Sequence, residues 1–562
     1  MSDEDRQEHA GPAGPGLAPT PVAEPPETDP VGPAPEAATP PARQTVPELA
    51  VFIVEHAGPP IDVWALAALL ESVGIRDRDA VERFGLPDVF ALARAVQAEL
   101  PEAPGDVAVE EERRTRREGL TRFAKIYGRG TFFFVPLALQ LVALLVFDVS
   151  QFASLDFTNA DASRVAVAAA LSFTVTAAFS QALGYLAPVY IESGKHMAAE
   201  TVSWTIIGLG ALAAMVVGAI AYAVGYTTDG YSHHDLTVMT AYYLLLAAQG
   251  LAGAMLYMLR KYLAMVVATI ISLAVAAALY HWTSVKIEKV HYAALAVGVL
   301  IELGVGLVIM HRRARNTKGD LRLARLPRAR ILARRALPFA LYGVIYFLFL
   351  TSDRAVAWAA GSNPLPLWFH TPYELGLDFA LGGIVFALAF LEVTVEDFSE
   401  MLTPAAERFR VDAVREHNRA VARFWSKQLA YIGVLMAAGA WLAVSGAVLL
   451  HKLGALGAAE KIYDDPVSRY VFGLGLLGYA MLTLGIANSV FVMSLNRPWR
   501  AVTAIGPGVL VSVVVGIVAT SRYDYWTAVF GMVVGAGVFA VLSSWQAWRT
   551  LRQADFHSYA AY

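Results

Sequence analysis

From residue 131 onward the chain alternates long apolar runs with short polar joints. A helix that crosses a bilayer needs roughly 20 consecutive, mostly apolar residues. Twelve runs qualify: 131–149, 164–190, 201–225, 236–258, 263–282, 292–310, 337–359, 374–394, 428–450, 470–494, 500–520 and 524–546. The joints are mostly short, so neighbouring helices are expected to pack antiparallel. A long basic stretch, 311–336, follows the sixth run and divides 131–310 from 337–546. The pattern predicts an all-α polytopic membrane protein with two six-helix bundles, an arrangement suited to carriers whose halves rock against each other. No residue-level internal repeat accompanies it.

Ahead of the spans the period changes. Val63, Leu66, Leu69 and Leu70, then Val89, Phe90, Leu92, Ala93 and Val96, recur at helical spacing without a spanning length. Gly74 suits a helix end and Pro87–Asp88 a helix start. Residues 47–101 are therefore expected to form a small cytoplasmic module of two to four helices. It would dock a soluble partner or shield the membrane entry. Residues 1–46 are rich in Pro, Ala, Gly and Glu, and read as a disordered tail because they offer little surface to bury. Residues 102–130 form a basic juxtamembrane linker and 547–562 a C-terminal tail. The segment 395–427 mixes Phe, Leu, Val and Trp with Glu and Arg, and reads as a helix on the membrane surface or a solvated basic helix.

Composition agrees with the runs. The chain is 56% hydrophobic and only 16% charged, with a mean hydropathy of +0.49, against about 25% charged in soluble domains. The net charge of -4 averages an acidic front against basic loops and says little about partners. There is no cysteine, which excludes disulfides, thiol catalysis, Cys-zinc sites and iron–sulfur clusters. The start lacks an apolar core behind a basic lead, so no cleavable signal peptide is expected. Orientation follows Lys and Arg. Thirty fall on the side holding both termini, and six, Lys286, Lys289, Lys452, Lys461, Arg469 and Arg522, on the other. The basic side is expected to be cytoplasmic, in a cytoplasmic membrane.

Enzyme signatures are missing. The nearest approach to a phosphate-binding loop is Gly194-Lys195, with Val189 where the first glycine belongs. The pair His233-His234 before Asp235 lies in a short outer loop and does not share a helical face, so no metal site is expected. No catalytic residue and no cofactor are assigned, and nucleic acid is not an expected partner. A membrane glycosyltransferase would want outer-loop acids. Asp156, Asp161, Asp464 and Asp465 qualify loosely, but the loops leave little room for a sugar-handling domain.

Polar residues inside spans carry more information, because such groups usually face a bundle interior or a wet cavity. Candidates for a transport path or gate are Asp353, Arg354, Asp378, Glu302, Gln181, Gln249 and Asn488, with Gln140 beside them. Glu302 is near mid-span, and its stem is too short to reach either surface. It reads as a proton or cation site, or as a hydrogen-bonded structural glutamate. Asp353 and Arg354 point about 100° apart on one helix, so each meets a different neighbour. Asp378 is the expected partner of Arg354, and the alternative to a role in transport is a static interhelical salt bridge. Gly184 with Pro188, and Gly506-Pro507-Gly508, are possible hinges. Trp358, Trp368, Phe369, Tyr373, Tyr523, Tyr525 and Trp526 read as an outer aromatic belt.

The stretch "YGVIYFLFLTSDRAVAWAAG", with "YELGLDFALGGIVFALAFLEVTVEDFSEML" after it, resembles spans seven and eight of the Pel exopolysaccharide transporter family. That family belongs to the multidrug/oligosaccharidyl-lipid/polysaccharide (MOP) flippase superfamily. The matching positions are Asp353, Arg354, Trp358, Tyr373, Asp378, Glu392 and Phe398, over about 60 residues. "GYLAPVYIESGKHMAAE" is also similar to the superfamily. The resemblance implies an exporter of a polysaccharide or lipid-linked oligosaccharide working by alternating access. Its partners would be the lipid bilayer, a saccharide cargo and a glycosyltransferase or other synthesis protein. A major-facilitator carrier for a small solute is the transport alternative, although "ESGKHMAAE" lacks that family's loop pattern. A non-transporting scaffold or a glycosyltransferase of a synthesis complex is the alternative from another class.

Overall fold

The computed structural model describes residues 45–57, 63–72, 75–99, 116–132, 134–192, 194–228, 230–316, 329–361, 363–402, 414–453 and 464–554. The expected disordered tail falls outside them almost entirely, as do Gly74, residues 102–115, most of the central basic loop and residues 555–562. The chain divides into two compact units, one ending at Pro104 and one beginning at Gly105.

The first unit holds α1 (Val46–Ala57), α2 (Val63–Ser72), α3 (Asp77–Phe84) and α4 (Val89–Glu99). The side chains at helical spacing close one core, with Leu49, Leu66, Leu70, Ile75, Leu92 and Val96 almost fully buried. Thr45 N–H donates 2.8 Å to the Glu48 carboxylate ahead of α1, which holds that carboxyl below its usual range. Gly85 ends α3 in the left-handed region, at φ 70°, where a Cβ is disfavoured. Asp88 accepts from Ala91 N–H at 2.6 Å, so the Pro87–Asp88 start works as a cap.

Among its described residues the regular structure of the second unit is helical, apart from one isolated bridge between Val149 and Ser154. Ten helices are long and apolar enough to cross a membrane, or twelve when each of two bent pairs is taken as one span. Span 1 is the pair α5 (Arg116–Phe132) and α6 (Val135–Phe147), bent by 50°. Spans 2 to 7 are α7 (Asn159–Glu192), α8 (His196–Thr227), α9 (His233–Met258), α10 (Tyr262–Trp282), α11 (Ile287–Asn316) and α12 (Ala329–Ala359). Span 8 is the pair α13 (Thr371–Gly382) and α14 (Val385–Leu402), bent by 41°. Spans 9 to 12 are α15 (Val414–Leu453), α16 (Pro466–Ser494), α17 (Pro498–Arg522) and α18 (Ala528–Leu551).

Several expectations change. The first span starts about ten residues earlier and is broken just before Pro136, whose ring cannot continue the preceding helix. The eighth is broken at Gly383, against which Gly439 of span 9 packs closely. Helices run unbroken through Pro188 and Pro507, because a single missing hydrogen bond is tolerated where neighbours hold the helix. Residues 395–402 and 414–427 continue spans 8 and 9 instead of forming a separate surface helix. Phe398, Val421, Phe424 and Trp425 turn inward onto Phe491 and Leu551, so this apolar face is used within the protein.

Neighbour relations repeat between the halves. Spans 2 and 4, 4 and 6, 5 and 6, 1 and 5, and 3 and 6 pack together in the first half. Spans 8 and 10, 10 and 12, 11 and 12, 7 and 11, and 9 and 12 do so in the second. The halves meet along two seams, span 2 with span 7 and span 1 with span 8. The seams use the same device. A Cβ on Gly343 of span 7 would lie 2.7 Å from the Ala177 carbonyl oxygen of span 2, and one on Gly130 of span 1 would lie 2.5 Å from that of Ala389 in span 8. Only glycine allows these approaches.

One turn also recurs. At Gly194, Arg260 and Asn496 the backbone enters the left-handed region, with φ 70°, 56° and 55°. The basic residue after each, Lys195, Lys261 or Arg497, donates its N–H to a carbonyl five residues back, at 2.9, 2.9 and 3.1 Å. Two of these turns join equivalent spans, 4 to 5 and 10 to 11.

Candidate functional site: two buried polar clusters

Spans 7 and 8 build the first cluster. Asp353 and Arg354 point to different sides of α12, and Tyr373 and Glu374 do the same on α13, so two pairs form side by side. Tyr373 O–H donates 2.8 Å to Asp353 Oδ2. Arg354 Nη1 donates to Glu374 Oε2, and its Nη2 donates 2.8 Å to Asp378 Oδ1. Glu374 and Asp378, four residues apart, share one helical face and thus one guanidinium fork. Trp358, one turn beyond Arg354, donates Nε1–H to Glu374 Oε1 at 2.7 Å. Tyr479 of span 10 is a further neighbour of Arg354. Asp353, Trp358, Tyr373 and Glu374 are buried, whereas the Asp378 side chain is 62% exposed. Three carboxylates thus lie near one guanidinium, with Glu374 and Asp378 bonded to it and Asp353 bonded to Tyr373.

This places Asp353, Arg354 and Asp378 together and supplies the expected Arg354–Asp378 contact. It also corrects the belt. Trp358 and Tyr373 are buried hydrogen-bond donors to the cluster's acids instead of interfacial anchors, because the carboxylates need them. Glu374 was missed in the sequence, although its spacing four before Asp378 is a usable signal.

The second cluster lies in the first half. After Asp148, in the left-handed region at φ 60°, the chain folds back and places Gln151 between spans. Gln151 N–H donates 2.9 Å to Gln140 Oε1, and Gln151 Nε2 donates 2.5 Å to Ser272 Oγ of span 5. Gln151 and Gln249 of span 4 converge on Gly298 of span 6. One turn further on, Glu302 is 2% exposed and bonds with Gln249. Glu302 Oε2 and Gln249 Oε1 are buried with no hydrogen-bond partner.

The remaining candidates fall elsewhere. Gln181 lies on span 2 at the seam, against Gly343. Asn488 accepts from Trp425 Nε1 at 3.0 Å and donates to Ser544 at 2.9 Å, which ties spans 9, 10 and 12 together. His233 to Asp235 form the first turn of α9 instead of a loop. Asp235 closes a capping box with Ser232 and accepts from Arg164 Nε at 2.7 Å. Aromatic rings line the seam of spans 2 and 7, where Tyr185 stacks on Phe339 at 4.0 Å and Phe173 meets Phe347 at 6.0 Å. At the end opposite the basic side, residues 363–371 of the second half reach the first, with Phe369 N–H donating 2.8 Å to Ser163 and Thr371 bonding Asn159 at 3.1 Å.

No protein-family model matches the chain, and no curated protein sequence matches it. Solved structures do. A MATE transporter crystallised in complex with MaL6 matches with TM-score 0.52 and 14% identity, over 77% of this chain and 96% of that one. A variant of the MATE transporter VcmN of Vibrio cholerae matches with TM-score 0.52 and 15% identity, over 78% of this chain and 99% of that one. With its helical composition, its up to twelve spans and its repeated halves, the membrane unit of this chain has a MATE-like polytopic fold.

Proposed function

We propose that the chain is a secondary transporter that exports a polysaccharide or lipid-linked oligosaccharide by alternating access between its two halves. The observation that carries this reading is the pair of equivalent seams, each formed by a span of one half on a span of the other. Such seams let two rigid halves rock about a site between them. The MATE-like fold supports transport as the general activity. The spans 7 and 8 that resemble Pel transporters support the saccharide, as do the aromatic rings along the seam, whose flat apolar faces suit sugar rings. The excess of carboxylate around Arg354 and the unpaired oxygen of Glu302 favour coupling to a proton or cation, since either would balance buried negative charge. In this reading the basic side faces the cytoplasm, with both termini, and residues 45–99 are available to a synthesis enzyme such as a glycosyltransferase.

Polymer secretion in a deletion strain tests this. The intact gene restores secretion, while Asp353→Asn, Arg354→Gln and Glu302→Gln, expressed at equal levels, restore a small fraction of it. Full secretion by all three variants would remove the polar clusters from the transport path. Undiminished secretion in the deletion strain itself would remove the exporter reading.

A further inference from the structure

Span 11 begins, and span 12 ends, on the basic side. The turn into span 11 carries Arg497, and Arg500 follows one helical turn on. Span 12 returns to the same end with Arg549 and Arg552. Arg500 does not reach freely into solvent. Its Nη1 donates 2.5 Å to Thr550 Oγ1, and Thr550 is fully buried between the helices. Arg497 and Arg549 lie close enough to act on that guanidinium electrostatically, and both repel it. Among the described residues none of the four arginines pairs with a carboxylate. Elsewhere on this side Arg122 has Asp397 at 3.5 Å. Like charges held together without a counter-charge are unfavourable, and a bound anion relieves them.

Indoles mark the depth of the patch. The Arg552 guanidinium carbon lies 4.0 Å over the Trp548 ring, and that of Arg549 lies 5.7 Å over the Trp545 ring. Trp499, Trp545 and Trp548 are 50%, 50% and 43% exposed. Tryptophan at a span end sits at the level of lipid headgroups. The guanidinium groups therefore open at the depth of lipid phosphates, and a guanidinium fork matches two phosphate oxygens at once. Basic pockets between spans on this side of a membrane commonly hold anionic headgroups.

We infer that Arg497, Arg500 and Arg549 form a site between spans 11 and 12 for the phosphate of an anionic phospholipid in the adjoining leaflet, with Trp499, Trp545 and Trp548 seated against its glycerol and upper acyl region. The site is separate from the two polar clusters and does not depend on what the protein transports.

Thermal unfolding of the purified full-length chain in neutral detergent tests it, with phosphatidylglycerol, phosphatidylcholine or inorganic phosphate added. Phosphatidylglycerol is expected to raise the midpoint by several degrees, and the other two to leave it unchanged. Arg500→Gln with Arg549→Gln removes most of that rise. Arg312→Gln with Arg315→Gln takes the same charge from span 6 and keeps the rise. Arg500→Lys with Arg549→Lys keeps the charge without the fork and retains at most half of it. The lysine pair carries the comparison if the glutamine pair does not fold. An equal rise with phosphatidylcholine, an unchanged response in both arginine-site pairs, or an equal loss in the span 6 control overturns the site. A rise with inorganic phosphate alone overturns its assignment to lipid.

Discussion

Removing the guanidinium of Arg354 strands Glu374, a buried carboxylate whose other donor is the Trp358 indole. Breaking a buried ion pair from one side costs on the order of 3–5 kcal/mol, because the charge left behind has no compensation. Arg354→Met is therefore expected to lower the unfolding midpoint sharply, and adding Glu374→Gln to the same chain should recover a large part of the loss. The cycle of single and double variants, followed by thermal unfolding in detergent, reads the coupling directly. Equal losses in the single and double variants would mean that Glu374 is not the partner that matters. At this scale the sequence was informative about which residues are costly in a span, and about the 100° between Asp353 and Arg354. Beyond Asp378 it did not show which residues of span 8 face them, because helix phase between spans is set by packing. Trp358 and Tyr373 read as interfacial aromatics, because nothing local shows that α13 sets Tyr373 against Asp353 and Glu374 against Trp358 and Arg354 of span 7.

Spans were legible for a simple reason. A bilayer imposes length and apolarity on each one, and both are properties of local sequence. Breaks were not, since proline alone does not decide them. Pro188 and Pro507 sit in continuous helices, while the bends occur near Pro136 and at Gly383. The repeat between halves was equally hidden. It resides in a turn shape shared by Arg260-Lys261 and Asn496-Arg497, and in Gly130 and Gly343 each set on an alanine carbonyl, with little shared sequence around them. The glycine contacts give a test at the level of the helix pair. Gly343→Val places carbon where the Ala177 carbonyl already lies and must push spans 2 and 7 apart. Overpacking of this kind costs about 1–3 kcal/mol. The unfolding midpoint should fall, whereas Gly446→Val, at an open position in span 9, should leave it nearly unchanged. Equal midpoints for the two variants would show that the approach of spans 2 and 7 is not close.

Across the whole molecule the two seams are equivalent in position but differ in stiffness. Spans 2 and 7 are continuous helices of 34 and 31 residues. Spans 1 and 8, which form the other seam, are the two that bend. A chain without cysteine makes the difference measurable, because pairs of introduced cysteines take spin labels cleanly. Labels at Lys125→Cys with Glu396→Cys, on spans 1 and 8, should give a broad distance distribution in lipid. Labels at Val189→Cys with Leu337→Cys, on spans 2 and 7, should give a narrow one. Equal widths would contradict the asymmetry. If it holds, the alternating access we propose would run as a door does, with spans 2 and 7 as the post and spans 1 and 8 as the leaf. The Arg354 cluster, on the span that serves as post and on the outer piece of the leaf, then sits where a change in charge can work the latch.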